Sequence, residues 1–495
     1  MGTPAGRWVL LATIFGSGMA MLDATVVNIA LPSIGRDFGA DFQTLQWIVN
    51  AYTLTLAALI LLAGALGDRF GRRRVFVIGA VWFAVASLLC GLAPNAHVLV
   101  IARALQGIGG ALLTPGSLAI ISSSFVAADR ARAVGAWSGL SGVAAAIGPF
   151  AGGYLVTLTW RAVFLVNLPV AVVIVVVSLR HVPDSSAAPP AEPAIRPQGA
   201  PRLDVAGSAL TAAGLAGVTY ALTSLSGGGG GNVAVFVAGV GGAAALLVFV
   251  LVEQRSPHPL VPLGLFADRR FSVANAVTLL VYAGLGVFFF LLVLHLQIVA
   301  GFPPLVAGTA MLPITVLMLL LSARAGALAE RIGPRLPLTV GPLVAAMGFL
   351  LTLRIGPGAS YLADVLPAVV MLGLGLSLTV APLTATVLGS ADSRYAGTAS
   401  GVNNAIARSG GLLAVAVIPV VAGLGGTDYT DPLSFEAGFH TAMLISAGML
   451  ALGSLLAATL LHDPFRAPLP TDRIPLERCS HCGVTAPQLH PTSGR

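Results

Sequence analysis

The chain contains no lysine; all 26 of its basic residues are arginine. Two chemistries go with that absence. A P-loop needs its lysine on the phosphates, and a Schiff base needs an amine. Neither an HExxH nor a GxSxG string is present. An ATP-driven pump carrying its own nucleotide domain is therefore excluded within this chain, and any transport must run on a gradient or on a partner's ATPase. Cysteine is scarce too. Cys90, Cys479 and Cys482 are the whole complement, too few for a disulfide framework. Cys90 lies in an apolar run and reads as a small hydrophobe.

Charge is the third shortage. Charged residues make up 9% of the 495, and hydrophobic ones 56%. A soluble domain carries about 25% charged residues. With a mean hydropathy of +0.92, this is a polytopic membrane protein. The first apolar run is too long for a cleavable signal peptide and lacks a clear small-residue cleavage site. Gly6 stands where a myristoylation start needs Ser or Thr.

A spanning helix needs about 20 mostly apolar residues. Fourteen runs qualify: 8–30, 45–67, 75–93, 96–118, 133–157, 161–179, 205–225, 233–252, 271–294, 303–323, 336–353, 361–385, 398–422 and 438–461. Arginine placement sets the orientation. With a cytosolic N-terminus, 21 arginines fall in inner segments and only Arg36, Arg161 and Arg354 in outer ones. An even helix count and two cytosolic termini follow. The net charge of +7 thus reads as topology, with anionic lipid at the inner face as a partner and no nucleic acid. Residues 180–204, rich in Pro, Ala and Arg, read as a mobile cytosolic linker, and Gly227–Gly231 as a flexible outer turn. The Pro-rich stretch 462–495 reads as a disordered cytosolic tail. Its Cys479, His481, Cys482 and His490 are too few and too loosely spaced for a metal site.

Two arginines, Arg103 and Arg408, lie inside apolar runs, and so does one carboxylate far from both ends, Asp23. A lone acid in a bilayer core costs ~2.5–3.5 kcal/mol on insertion scales, so it is kept where a partner or a water-filled cavity receives it. Asp23 and Arg103 each stand about 15 residues, or ~22 Å, from the inner ends of their runs. Equal height makes them a candidate pair. One deep acid against two deep arginines argues against a purely cationic substrate.

The chain also repeats itself. Gly64-Ala-Leu-Gly67-Asp68-Arg69-Phe70-Gly71-Arg72-Arg73 follows the second run, and Gly326-Ala-Leu-Ala-Glu330-Arg331-Ile-Gly333-Pro334-Arg335 follows the tenth. Two six-helix halves would place the second copy after the eighth run. Two extra helices therefore lie between the halves, and 205–225 and 233–252 are the natural candidates. Internal repeats of this kind mark secondary transporters, with the substrate site near the midplane between them.

These stretches resemble the major facilitator superfamily, and within it the fourteen-helix drug–proton antiporters. Gly64–Arg73 resembles the signature loop between helices 2 and 3. Leu99–Gly110, with Arg103 and Gln106, resembles the helix 4 motif. Gly135, Gly139, Gly142, Gly148-Pro149 and Gly152-Gly153, followed by Trp160-Arg161 and Phe164-x-x-Asn167-x-Pro169, resemble the helix 5 antiporter motif and its sequel. Leu22–Pro32 and Gly397–Gly411 resemble motifs of helices 1 and 13.

The resemblance implies an all-α fold: an N-terminal six-helix bundle (8–179), two inserted helices (205–252) and a C-terminal six-helix bundle (271–461). It implies a monomeric secondary transporter of the bacterial cytoplasmic membrane, not an enzyme. Such a protein exports small hydrophobic toxic compounds against protons by alternating access, with the proton gradient and no cofactor as its energy source. Asp23 and Arg103 are then the proton-coupling pair. Thr25, Asn28, Gln106, Asn404 and Arg408 are cavity candidates. Gly64, Asp68, Arg69, Gly71 and Arg72 form a cytosolic gate, in which Asp68 faces the start of helix 13 near Gly397–Ser400 when the inner gate is shut. Gly139, Gly148, Pro149, Gly152 and Gly153 form the close-packing helix 5 motif. An importer on the same fold, or a membrane scaffold without transport, are the alternatives.

Overall fold

A bilayer core offers backbone N–H and C=O groups no water partner, so each apolar run must satisfy them within itself as a helix. The computed structural model describes residues 4–125, 127–183, 204–225, 232–256, 259–391, 395–426 and 431–461, and no strand occurs among them. Fourteen helical segments follow in chain order. They are α1 (Pro4–Phe38), α2 (Phe42–Phe70), α3 (Arg72–Gly91), α4 (Ala96–Ser124) and α5 (Ala127–Leu158). Next come α6 (Ala162–His181, with a turn at Val166), α7 (Val205–Leu225), α8 (Val233–Arg255) and α9 (Arg269–Ile298). The series ends with α10 (Pro304–Ile332, broken near Ala310), α11 (Arg335–Leu351), α12 (Tyr361–Gly389), α13 (Ala396–Val421) and α14 (Pro432–Leu460). Thirteen are long and apolar enough to cross a membrane over their described residues; α5 is the fourteenth, at 32 residues. Most of the linker, the Gly227–Gly231 turn and the 462–495 tail lie outside the described residues.

The helices overrun the apolar runs because caps, not hydropathy, end them. Asp41, Asn95 and Asp268 accept from the first free amides of α2, α4 and α9 at 2.9, 2.9 and 2.7 Å. Asp431 does so for α14 at 3.1 Å, and the Ser434 donors hold its carboxyl below the usual carboxylate range. The repeated loop has a backbone reason for its last glycine. Gly71 ends α2 at φ 100° and Gly333 ends α10 at φ 88°, a region that L side chains avoid. Each donates its N–H four residues back, to Gly67 O at 3.1 Å and Ala329 O at 3.0 Å.

Packing groups α1–α6 together and α9–α14 together. In the first group α4 lies against α2 and α3, and α1 against α5 and α6. In the second α9 lies against α13 and α14, and α12 against α10 and α11. The inserted α7 and α8 pair with each other, and α7 also packs on α2 and α13. The Ala57, Ala58 and Leu215 cluster marks that contact, as does Trp47 at 6.3 Å from Tyr220.

The two groups meet along α2–α13, α5–α10 and α1–α9. Their tightest contacts lie toward the arginine-poor end, near Arg36, Arg161 and Arg354. Gln46 Nε2 donates to Val415 O at 2.7 Å, Gln297 Nε2 to Ile29 O at 3.1 Å, and Phe42 N to Gly426 O at 3.0 Å. A Cβ on Gly308 would stand 2.3 Å from Pro149 O, and one on Gly153 2.7 Å from Leu305 Cα. At the arginine-rich end the α2–α13 contact runs as far as Leu61 and Gly401, while a side chain at Gly67 or Gly397 would meet open space.

Candidate functional site

Asp23 stands 19 residues from the start of α1, and Arg103 21 residues from the end of α4. Both helix termini are at the arginine-rich end, so the two side chains share a height. Arg103 Nη1 donates to Asp23 Oδ2 at 2.5 Å, with the two side chains 1% and 0% exposed. The pair is fully enclosed in the N-terminal group.

The residues around it satisfy what a buried ion pair demands. Asp23 Oδ1 accepts from Gln106 Nε2 at 2.8 Å and from Asn167 Nδ2 at 3.0 Å. Those same two amide nitrogens donate to Ser87 Oγ at 2.8 and 3.3 Å. Arg103 also donates to Ile48 O at 3.0 Å and to Gln106 Oε1 at 2.6 Å. Its guanidinium lies 4.3 Å over the Tyr52 ring, a cation–π contact on an apolar wall. The Tyr52 hydroxyl donates to Ala20 O at 3.4 Å, and Cys90 Sγ donates to Gln106 Oε1 at 3.7 Å. One network thus ties α1, α2, α3, α4 and α6. Close approach of α2 and α4 permits it: a Cβ on Gly107 would lie 2.3 Å from Tyr52 O.

Asn167, Ser87 and Tyr52 were absent from the sequence-derived site. Asn167 stood only in a motif, and its position in an apolar run was the available signal. Gln106, a cavity candidate, is here a completely buried member of the network, its amide bonded to both partners of the ion pair. Thr25, another cavity candidate, is half-buried. Its hydroxyl bonds to Leu22 O at 2.9 Å, and it lies over Gly148, whose Cβ would come within 2.3 Å of Thr25 Oγ1. Asn28 is half-buried, and its Oδ1 has no partner among the described residues.

The helix 5 glycines serve contact. Gly148 and Gly152 lie on α1, and Pro149 and Gly153 on the start of α10. Gly139 lies outside the residues whose side-chain surroundings are described. In the gate loop Asp68, 55% exposed, pairs with Arg72 at 2.9 Å and, among the described residues, makes no hydrogen bond to α13. Arg72 also donates to Ala119 O of α4 at 3.0 Å, Arg69 lies over the Phe70 ring, and Gly64 faces Pro115. On α13, Asn404 is exposed and Arg408 half-buried, and they share a face four residues apart. The neighbouring Asn403 points elsewhere, donating to Asn275 Oδ1 and Thr278 Oγ1 of α9 at 3.0 and 2.7 Å.

Among the described residues, no group of three or more His, Cys, Asp or Glu could hold a metal ion. The arrangement is one buried carboxylate with a fixed counter-charge beside it.

Comparison with known proteins agrees with this geometry. The sequence matches the family model described as Major Facilitator Superfamily over residues 13–416. It is 35% identical over 475 residues to the puromycin resistance protein of Streptomyces alboniger, covering 92% of each chain. To the probable actinorhodin transporter of Streptomyces coelicolor it is 36% identical over 467 residues, covering 90% of this chain and 79% of that one. The fold matches the crystal structure of a bacterial homologue of the human lysosomal transporter Spinster with a TM-score of 0.65 at 16% identity, covering 94% of this chain and all of that one.

Proposed function

The chain belongs to the major facilitator superfamily, and from that premise we propose that it exports small hydrophobic toxic compounds across the bacterial cytoplasmic membrane in exchange for protons. The observation that carries the proton-coupling half is Asp23: one carboxylate, fully buried at mid-helix, bonded at both oxygens and paired with an arginine. The names of the relatives support the other half. The puromycin resistance protein and the probable actinorhodin transporter are each similar along most of their length.

The chemistry follows from the network. An ionised Asp23 balances Arg103. A proton on the carboxylate removes that balance and leaves the guanidinium with Ile48 O, Gln106 and the Tyr52 face. An unpaired buried charge is strongly unfavourable. The proton-bound form therefore favours an arrangement in which Arg103 finds water or another partner. The mechanical link is α1. Its segment beyond Asp23 packs on Gly148 and Gly152 of α5 and accepts from Gln297 of α9 through Ile29 O. Loss of the ion pair would loosen the helix that holds the arginine-poor end shut.

In this scheme the described arrangement opens toward the cytosol, where compounds enter, and Arg69, Arg73 and Arg74 face anionic lipid headgroups. Asp68, free of α13 here, would meet the α13 N-terminus when the inner end closes. The proton gradient drives the cycle without a cofactor.

The test is purified protein in liposomes with an imposed pH gradient. Dye accumulation that follows the gradient and collapses with a protonophore is expected. Movement in the same direction as protons would establish an importer instead.

A further inference from the structure

Arg408 has no use in the network around Asp23, yet it lies deep. It is twelve residues, about 18 Å, from the start of α13. That places it near mid-depth of a hydrocarbon core about 30 Å thick. Among the described residues nothing accepts a hydrogen bond or forms an ion pair with its guanidinium. An isolated charge at that depth is kept only where a partner or a watery cavity receives it.

The helix face says where it points. Gly401 meets Leu61 of α2, Ala405 packs against the N-terminal core, and Val415 O accepts from Gln46 of α2. Arg408 falls on this same i, i+4, i+7 stripe. The opposite stripe, with Asn403, Gly410 and Gly411, is committed to α9. Arg408 therefore stands on the seam between the two helix groups. α7 packs on both α2 and α13 and screens the seam from lipid. Toward the arginine-rich end the seam opens, and the exposed Asn404 lies one turn along the same face.

Among the described residues no acid forms an ion pair with this charge. Asp23 is saturated by Arg103, Gln106 and Asn167. Asp37 is engaged by Trp160 and Arg161, and Asp364 by Ser360 N, both at the arginine-poor end. Glu253 accepts from Val261 N at the other end of α8.

We infer that Arg408 is the anion-binding point of the substrate site, so that the exported compounds carry an anionic oxygen, carboxylate or phenolate, held by this guanidinium on the seam between the two helix groups. The planar guanidinium fork suits two-point bonding to a carboxylate, which a lysine ammonium does not reproduce. A cationic compound would meet like charge at the same point. This inference rests on the efflux reading for its biological meaning, but its test reads binding alone.

The experiment uses the purified full-length chain in nanodiscs and two dyes on one xanthene core, anionic fluorescein and cationic rhodamine 6G, followed by fluorescence anisotropy. Fluorescein is expected to bind, and Arg408→Gln to weaken it by about tenfold or more, equal to about 1.4 kcal/mol. Rhodamine 6G binding should be unchanged or tighter in that variant, which also shows an intact site. Arg408→Lys should recover part of the fluorescein affinity. Binding of rhodamine 6G alone, binding of neither dye, or equal weakening of both by Arg408→Gln would overturn the assignment. Arg408-dependent binding of fluorescein without gradient-driven movement in liposomes would support the subsite and count against the efflux reading.

Discussion

Neutralising Asp23 and Arg103 singly and together measures what holds α1 to α4. In Asp23→Asn the guanidinium stays buried with Ile48 O, Gln106 Oε1 and the Tyr52 face, and loses its counter-charge. Removing one partner of a buried pair costs ~3–5 kcal/mol. Arg103→Gln is milder, on the order of 1–3 kcal/mol, since the acid keeps its Gln106 and Asn167 donors. The double variant leaves only neutral amides in contact with Gln106, Asn167 and Ser87. Its loss should therefore fall well short of the sum, with a coupling of about 2–3 kcal/mol. The assay is reversible unfolding in mixed micelles, read by tryptophan fluorescence. Single losses that add to within about 0.5 kcal/mol would refute the claim that the pair acts as a unit.

Three further outcomes follow from the contacts. Gly308→Ala sets a methyl against Pro149 O, a backbone atom that cannot swing away, so α5 and α10 must part at about 1–3 kcal/mol; labelling of a cysteine placed at Gln297 from the arginine-poor side should speed up, and an unchanged rate would contradict the packing. Gly71→Ala and Gly333→Ala each force a side chain to a positive φ at about 1–3 kcal/mol, lowering detergent stability, whereas Gly67→Ala, which meets open space, should have little effect. In a cysteine-free background, Asp68→Cys paired with Gly397→Cys should crosslink only when the inner end is closed, the state in which an acid at the α13 N-terminus gains ~0.3–1 kcal/mol; crosslinking in the inward-open state alone would reverse the gate assignment.

The fold was legible because lipid leaves a spanning chain few options. Long apolar runs become helices, and arginine placement orients them. Asp23 and Arg103 were legible for a related reason: a charge in such a run is conspicuous, and counting residues to the inner end gave both the same height. Neutral polar residues send no such signal. Ser87 and Asn167 are ordinary in apolar runs until α3 and α6 pack beside α1 and deliver both to Asp23 Oδ1 and its donors. Gln106 was a cavity candidate, and its motif says nothing about rotation about the α4 axis, which here turns it to Asp23 and Arg103. Asn403 and Asn404 make the same point within one dipeptide. A turn of about 100° sends the first to Asn275 and Thr278 of α9 and leaves the second exposed. Sequence gives depth along a helix axis more readily than direction around it.

The central claim is that Asp23 carries the proton that drives export. Asp23→Asn should insert, bind its compound and still exchange it between the two sides of a liposome at equal pH, because the carboxylate is enclosed among Arg103, Gln106 and Asn167. It should fail to accumulate that compound when a pH gradient is imposed. Gradient-driven accumulation by Asp23→Asn that matches the unmodified protein and collapses with a protonophore would contradict the account.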